Sequence, residues 1–158
     1  MSKTVQPLMD VWCVRSINKY FHELLSPTAH VHIEGFDATY ANKPEWFEVR
    51  MDGPWYTEWT HGQYRAQTEI NILCSVAQGV DRLRVRVLTG LVVSKFRFSI
   101  PVFRYGLETE SDNTKIGCFE LQKRAKHTIQ TNFFGQVKPN TALQQASVEA
   151  RYDMFFGV

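Results

Sequence analysis

Hydrophobic and polar positions alternate most cleanly between residues 45 and 76. Trp46, Glu48 and Arg50 share one side of a two-residue repeat, and Phe47, Val49 and Met51 the other. Further on, Tyr64, Ala66, Thr68, Ile70, Ile72, Cys74 and Val76 fall on one side. Arg65, Gln67, Glu69, Asn71 and Ser75 fall opposite, with Leu73 the apolar exception. Strand side chains alternate in direction, so the segment predicts antiparallel sheet with one dry and one wet face. Asp52-Gly53-Pro54 and His61-Gly62 read as turns, giving a meander of two or three strands. Trp46, Trp55 and Trp59 then belong to the wet side.

Residues 7–25 carry a helical period instead. Met9, Cys13, Ile17, Tyr20, Phe21 and Leu24 make one apolar arc, widened by Val14 and Leu25. Leu8, Val11 and Trp12 fall on the polar side of that helix. They meet either a loop of the same chain or a neighbouring subunit. Residues 80–98 fit both periods; their length favours a helix whose inner face is Val80, Leu83, Val87, Leu91 and Phe98. Shorter strands are predicted at 30–35, 101–106, 116–124, 127–137 and 142–156. The order predicts an α+β fold: a mostly antiparallel mixed sheet with two main helices packed on it.

At 158 residues the chain fits one domain spanning 1–158. A net charge of +2 is too small to argue for nucleic acid by itself. The basic residues that cluster are Arg82, Arg84, Arg86, Lys95 and Arg97, and on a helix they do not form one stripe. As a patch they would suit sequence-blind contact with DNA. Cys13, Cys74 and Cys118 are far apart and odd in number, as expected of reduced, packed thiols in a cytosolic setting. No stretch is long and apolar enough to span a membrane. An aromatic share of 13% is high, and such a surplus tends to reach interfaces.

Catalytic chemistry finds little support. His30, His32 and Glu34 alternate on one strand face and could begin a zinc or iron site, but lack further ligands at a recognisable spacing. Cys74 sits on the dry face of the most regular strand, which suits a structural thiol better than a nucleophile. No phosphate-binding or nucleophile-elbow motif is present.

Read in order, LMDVWCVRSINKYF, VHIEG, WFEVRMDGPWYTEW, the long strand TEINILCSV, a helix and IPVFRYG resemble the small neck and tail-terminator proteins of tailed bacteriophages. The resemblance spans nearly the whole chain and rests on element order and local strings. It implies a sheet flanked by helices and a structural virion protein without enzymatic activity or cofactor. It further implies a homo-oligomeric ring, commonly a hexamer, at the top of the tail tube. Such rings end tube polymerisation and take part in head-tail joining, with DNA passing through the lumen. The implied partners are further copies of the chain, the tail tube protein, a head-completion or connector protein and, transiently, DNA. Assembly would take place in the host cytoplasm, with no membrane involved. A closed ring needs two different patches on each subunit. The pattern nominates Leu8, Val11 and Trp12 for one, and Trp55, Tyr56 and Trp59 for the other, with Arg82, Arg84, Arg86 and Arg97 facing the lumen. Two other readings are a head-completion or connector adaptor of the same neck, and a small metal-dependent α+β enzyme using His30, His32 and Glu34.

Overall fold

A computed structural model describes residues 8–33, 43–77, 83–96, 99–104, 114–122, 128–136 and 143–157. In chain order they form α1 (Met9–Leu25), β1 (His30–Ile33), β2 (Glu45–Thr60), β3 (Gln63–Val76), α2 (Arg84–Lys95), β4 (Ser99–Arg104), β5 (Thr114–Leu121), β6 (Ile129–Gln136) and β7 (Gln144–Gly157). The seven strands make one mixed sheet in the order β1-β2-β3-β7-β5-β4, with β6 also paired to β7. The fold is mixed α and β, with strands predominating and two helices, as the periodicities predict at this level.

The dry face of the long strands forms as the alternation requires. Phe47 lies opposite Cys74, and Val49 opposite Ile72. Across the other edge of β3, Ile70 lies opposite Ala150 and Ile72 opposite Val148. All seven are buried in one core with Ala66, Tyr152 and Met154. On the other face Trp46 is also buried, contrary to its expected place on a wet surface. It stands mid-sheet, between His30 of β1 and Ser75 of β3.

Asp52-Gly53-Pro54 does not end a strand. β2 runs straight through it, and the register with β3 slips between Asp52 and Trp55. Three steps on β2 match two on β3, which is a β-bulge. Gly53 adopts φ 89°, and a Cβ there would stand 2.8 Å from the Gln67 carbonyl oxygen. The buried Thr68 hydroxyl donates to the Asp52 carbonyl at 2.9 Å, satisfying a group the bulge exposes. One extra residue reverses the alternation. Past the bulge, Trp55 therefore points outward opposite Gln67, and Tyr56 points to the core side opposite Ala66. The hairpin then closes at Gly62, with φ 76°.

β5 and β6 share one edge of β7. Leu121 pairs with Tyr152, and Ile129 with Ala150. Before this point β5 pairs with β4 and diverges from β7. Gly117 lets it pass close to Met154, where a Cβ would stand 2.8 Å from the thioether sulfur.

α1 contacts β1 and β2 at one end of the strand order and β4 at the other. The sheet is curled, and α1 lies where its ends converge. This overturns the expectation that Trp12 faces outward. A flat sheet would cover one helix face, whereas this one encloses more of the circumference. Trp12 is 3% exposed, with the Arg104 guanidinium carbon 5.6 Å from its ring centroid. α2 is also turned from its expected orientation. Val85, Leu88, Thr89 and Val92 are buried, while Leu83 and Val87 are exposed. Val80 and Phe98 lie outside the described residues. The helix carries two apolar stripes on nearly opposite sides, and the sheet takes the one that brings Arg84 to Glu45.

Trp12→Ala is therefore expected to destabilise the monomer by roughly 3–5 kcal/mol in urea unfolding, as for a buried aromatic. Gly62→Ala should lower stability by about 1 kcal/mol, through its positive φ alone. Gly53→Ala should cost clearly more, because its Cβ also meets a backbone oxygen. Equal urea midpoints for the two glycine variants would refute this account of the bulge.

Candidate interaction surfaces

The outer face of the sheet is largely a lattice of cross-strand polar pairs. Arg65 meets Asp153 at 2.6 Å, Arg151 meets Glu69 at 2.7 Å, and Asn71 donates to Glu149 at 3.0 Å. Glu48 and Arg50 pair along β2 at 2.7 Å. Towards the β2–β3 turn the face becomes aromatic. Trp55, Trp59 and Phe155 are 52%, 62% and 57% exposed. Trp59 and Phe155 meet edge to face with centroids 5.9 Å apart, and the Arg65 guanidinium carbon lies 5.9 Å from the Phe155 centroid. Isolated exposed rings are ordinary, but three gathered at one end of a sheet face form a candidate contact surface.

Tyr56 does not belong to that surface. It turns inward, packs edge-on against Phe156 and donates its hydroxyl to Asp10 at 3.2 Å. Burial, followed by the nearby Cys13 and Asp10 charges, raises its pKa. The bond to Asp10 brings the start of α1 beside the hairpin. Leu8 packs half-buried on the core, and only Val11 of its trio is exposed. Of the second cluster nominated from the sequence, only Tyr56 meets the start of α1, while Trp55 and Trp59 lie on the outer face of the sheet.

A second apolar surface was missed in the periodicities. Leu83 and Val87, 62% and 56% exposed, stand on the outward side of α2. Phe133 and Phe134 of β6 are exposed as well. Arg86 bridges helix and strand, its guanidinium carbon 4.0 Å from the Phe133 centroid. Phe155 was legible in principle: it continues the outer-face alternation Gln145, Ser147, Glu149, Arg151, Asp153. Val87 was not, because its stripe competes evenly with the buried one.

The basic residues do not pool. Arg84 forms a bidentate pair with Glu45 at 2.7 and 2.8 Å, while Arg86 lies over Phe133. Arg82 and Arg97 lie outside the described residues. The hydrogen bonds from Arg84 hold the Glu45 carboxyl below its ordinary 4.5, burial opposing them.

His30 and His32 lie on β1, opposite Trp46 and Glu48 of β2, and Glu34 is outside the described residues. Among the described residues, no three His, Cys, Asp or Glu side chains come together as a metal site. Cys74 is fully buried and its thiol is pushed up to about 12 by burial, slightly offset by a bond to Thr89. Cys13 is likewise pushed up to about 12 by burial and then by Asp10, with Tyr56 opposing. Both stay protonated at neutral pH, which suits packing and not nucleophilic attack. No helix among the described residues is long and apolar enough to cross a membrane.

No family model and no curated protein matches the chain. Several solved structures match; one of them is similar over 89% of this protein and 94% of its own length, at 14% identity and a TM-score of 0.46. That likeness is below the level from which a shared fold follows.

The Glu45–Arg84 pair makes a pH-dependent prediction. A carboxyl whose pKa is lowered on folding stabilises above its unfolded value, and the gain is lost as pH falls through the folded value. Arg84→Ala should lower stability by about 1 kcal/mol at pH 7, the upper range for a partly exposed pair. The gap from the native protein should close as pH falls below 4.5. A gap independent of pH in acid titrations of thermal unfolding would refute the assignment.

Proposed function

We propose that the protein is a ring-forming structural component of a tailed-phage particle, located at the top of the tail or in the neck. In this reading copies of the chain, commonly six, form a ring that ends tail-tube polymerisation and joins tail to head. DNA crosses its lumen through non-specific contact. The binding partners are the tail tube protein on one side and a head-completion or connector protein on the other. The reading combines the sequence resemblance with one structural observation: the exposed Trp55, Trp59 and Phe155 cluster at one end of the sheet face. Large aromatic side chains are what anchored protein interfaces favour. The polar lattice on the rest of that face is internally paired, which supports a water-facing surface. The ion pair of Arg84 with Glu45 leaves less charge on α2 for the lumen than four unpaired arginines would supply.

Multi-angle light scattering with and without tail tube protein tests the reading. A ring-sized assembly, with tubes that stop elongating when it is added, is the expected result. A monomer that persists in the presence of tube protein would overturn it. Stoichiometric metal bound to the purified protein would favour the enzymatic alternative.

A further inference from the structure

Among the described strands, β6 pairs with β7 alone. Its other edge presents a row of backbone N–H and C=O groups with no strand to receive them. Such an edge is a template for a further strand, and proteins blunt it with charge, proline, bulges, short length or a covering element. Free edges elsewhere in this sheet are blunted in those ways. β1 is four residues long. β2 beyond Val49, where β1 stops, carries Arg50, Asp52, Pro54 and Glu58 and is broken by the bulge at Gly53. β4 contains Pro101 and Arg104, and the Ser16 hydroxyl of α1 accepts its Phe103 N–H. β5, where it diverges from β7, carries Lys115 and a register shift. Residues 129–133 of β6 have none of these devices. They keep unbroken register with β7, without charge or proline, and the irregularity of β6 comes only after Phe133.

Unpaired backbone groups in an extended row are matched by another extended strand. The side chains of this stretch match those of its own reversed copy. Ile129, Thr131 and Phe133 lie on the core side of the sheet, opposite Ala150, Val148 and Ala146 of β7. Gln130 and Asn132 lie on the outer side, opposite Glu149 and Ser147. Two copies of β6 placed antiparallel about a two-fold axis through Thr131 keep those sides aligned. Thr131 of one copy then faces Thr131 of the other, Ile129 faces Phe133, and Gln130 faces Asn132. Threonine pairs, and aromatic with β-branched pairs, are favourable across antiparallel strands. An axis through Asn132 would instead set Thr131 against Phe133 and Gln130 against Phe134, polar against aromatic. Thr131 and Phe133 are exposed, so neither is enclosed by the core of its own chain.

We infer that the free edge of β6 pairs with β6 of a second copy of this chain, antiparallel about Thr131, joining the two sheets into one. The contact is isologous and supplies about four to six ladder hydrogen bonds. A ring closes through unlike patches, so this two-fold contact is separate from the ring contact and goes beyond the ring reading.

Charges placed on the axis test the pairing by sedimentation equilibrium. The native chain is expected to form a concentration-dependent dimer. Thr131→Lys and Thr131→Glu change an exposed side chain, and thermal unfolding checks that each variant is folded. Each alone should dimerise at least tenfold more weakly, because like charges then stand directly opposite. An equimolar mixture of the two should recover the dimer, with Lys facing Glu. A native chain without dimer, variants that dimerise as the native chain does, or a mixture that fails to recover would each overturn the pairing. A nitroxide on Thr131→Cys, in a Cys118→Ala background, reads the register without adding charge. Strong spin–spin broadening is expected in the dimer, and a dimer without it would overturn the axis at Thr131. The ring reading is separated by tail-tube capping. Capping by a chain that lacks the β6 pairing overturns the pairing alone, and a charge-swapped dimer that never caps tubes overturns the ring alone.

Discussion

Cys13, Ile17, Phe21 and Leu25 reach zero exposure because the sheet meets α1 from both ends of its strand order. A flat sheet would cover one stripe of a helix and leave the rest to solvent. Here β1 and β2 approach on one side and β4 on another, so α1 becomes the filling of a curl. The curl also explains details that look local. Ser16 is buried in mid-helix because its hydroxyl accepts the Phe103 N–H of β4 at 2.9 Å, at a strand edge that would otherwise carry an unpaired donor. Tyr20 reaches across to the end of α2, donating to the Lys95 carbonyl at 3.3 Å. Helix α1 thus holds the two ends of the sheet and the second helix together.

With the core placed inside that curl, the outward surfaces follow from two small deviations. The bulge at Gly53 shifts β2 by one residue and turns Trp55 out and Tyr56 in. Without it, Trp55 would keep the odd-numbered phase of Phe47, Val49 and Met51 and point to the core. The rotation of α2 settles the other surface. Either apolar stripe could have faced the sheet. The one containing Val85, Leu88 and Val92 does, and Val87 is left outside. Both deviations place apolar side chains where a solitary domain gains nothing from them.

Particular residues show how far the chain could be read in advance. The dry face of β3 was legible residue by residue, because alternation over fourteen positions admits one assignment; the burial of Ser75 on the opposite face, beside Trp46, was not. Most of the buried side of α1 was legible for the same reason. Trp12 was not, because its burial depends on β4, a strand some ninety residues away that reaches it only when the sheet curls. The exposure of Trp55 and Trp59 was legible, but the bulge at Asp52-Gly53-Pro54 that produces it was not. A glycine with positive φ serves a turn and a bulge equally well.

By itself, then, the amino-acid order determined where most helices and strands lie and which face of β3 is dry. Those properties depend on neighbours two to four residues away, and periodicity records such neighbours directly. Tertiary structure alone decided how far the sheet curls, which of two stripes on α2 turns inward, and which of the nominated residues, Trp12 and Tyr56, turn away from solvent. Each of these depends on contacts between residues far apart in the chain. Their local patterns are compatible with more than one outcome, and the energy of closing the core around α1 selects among them.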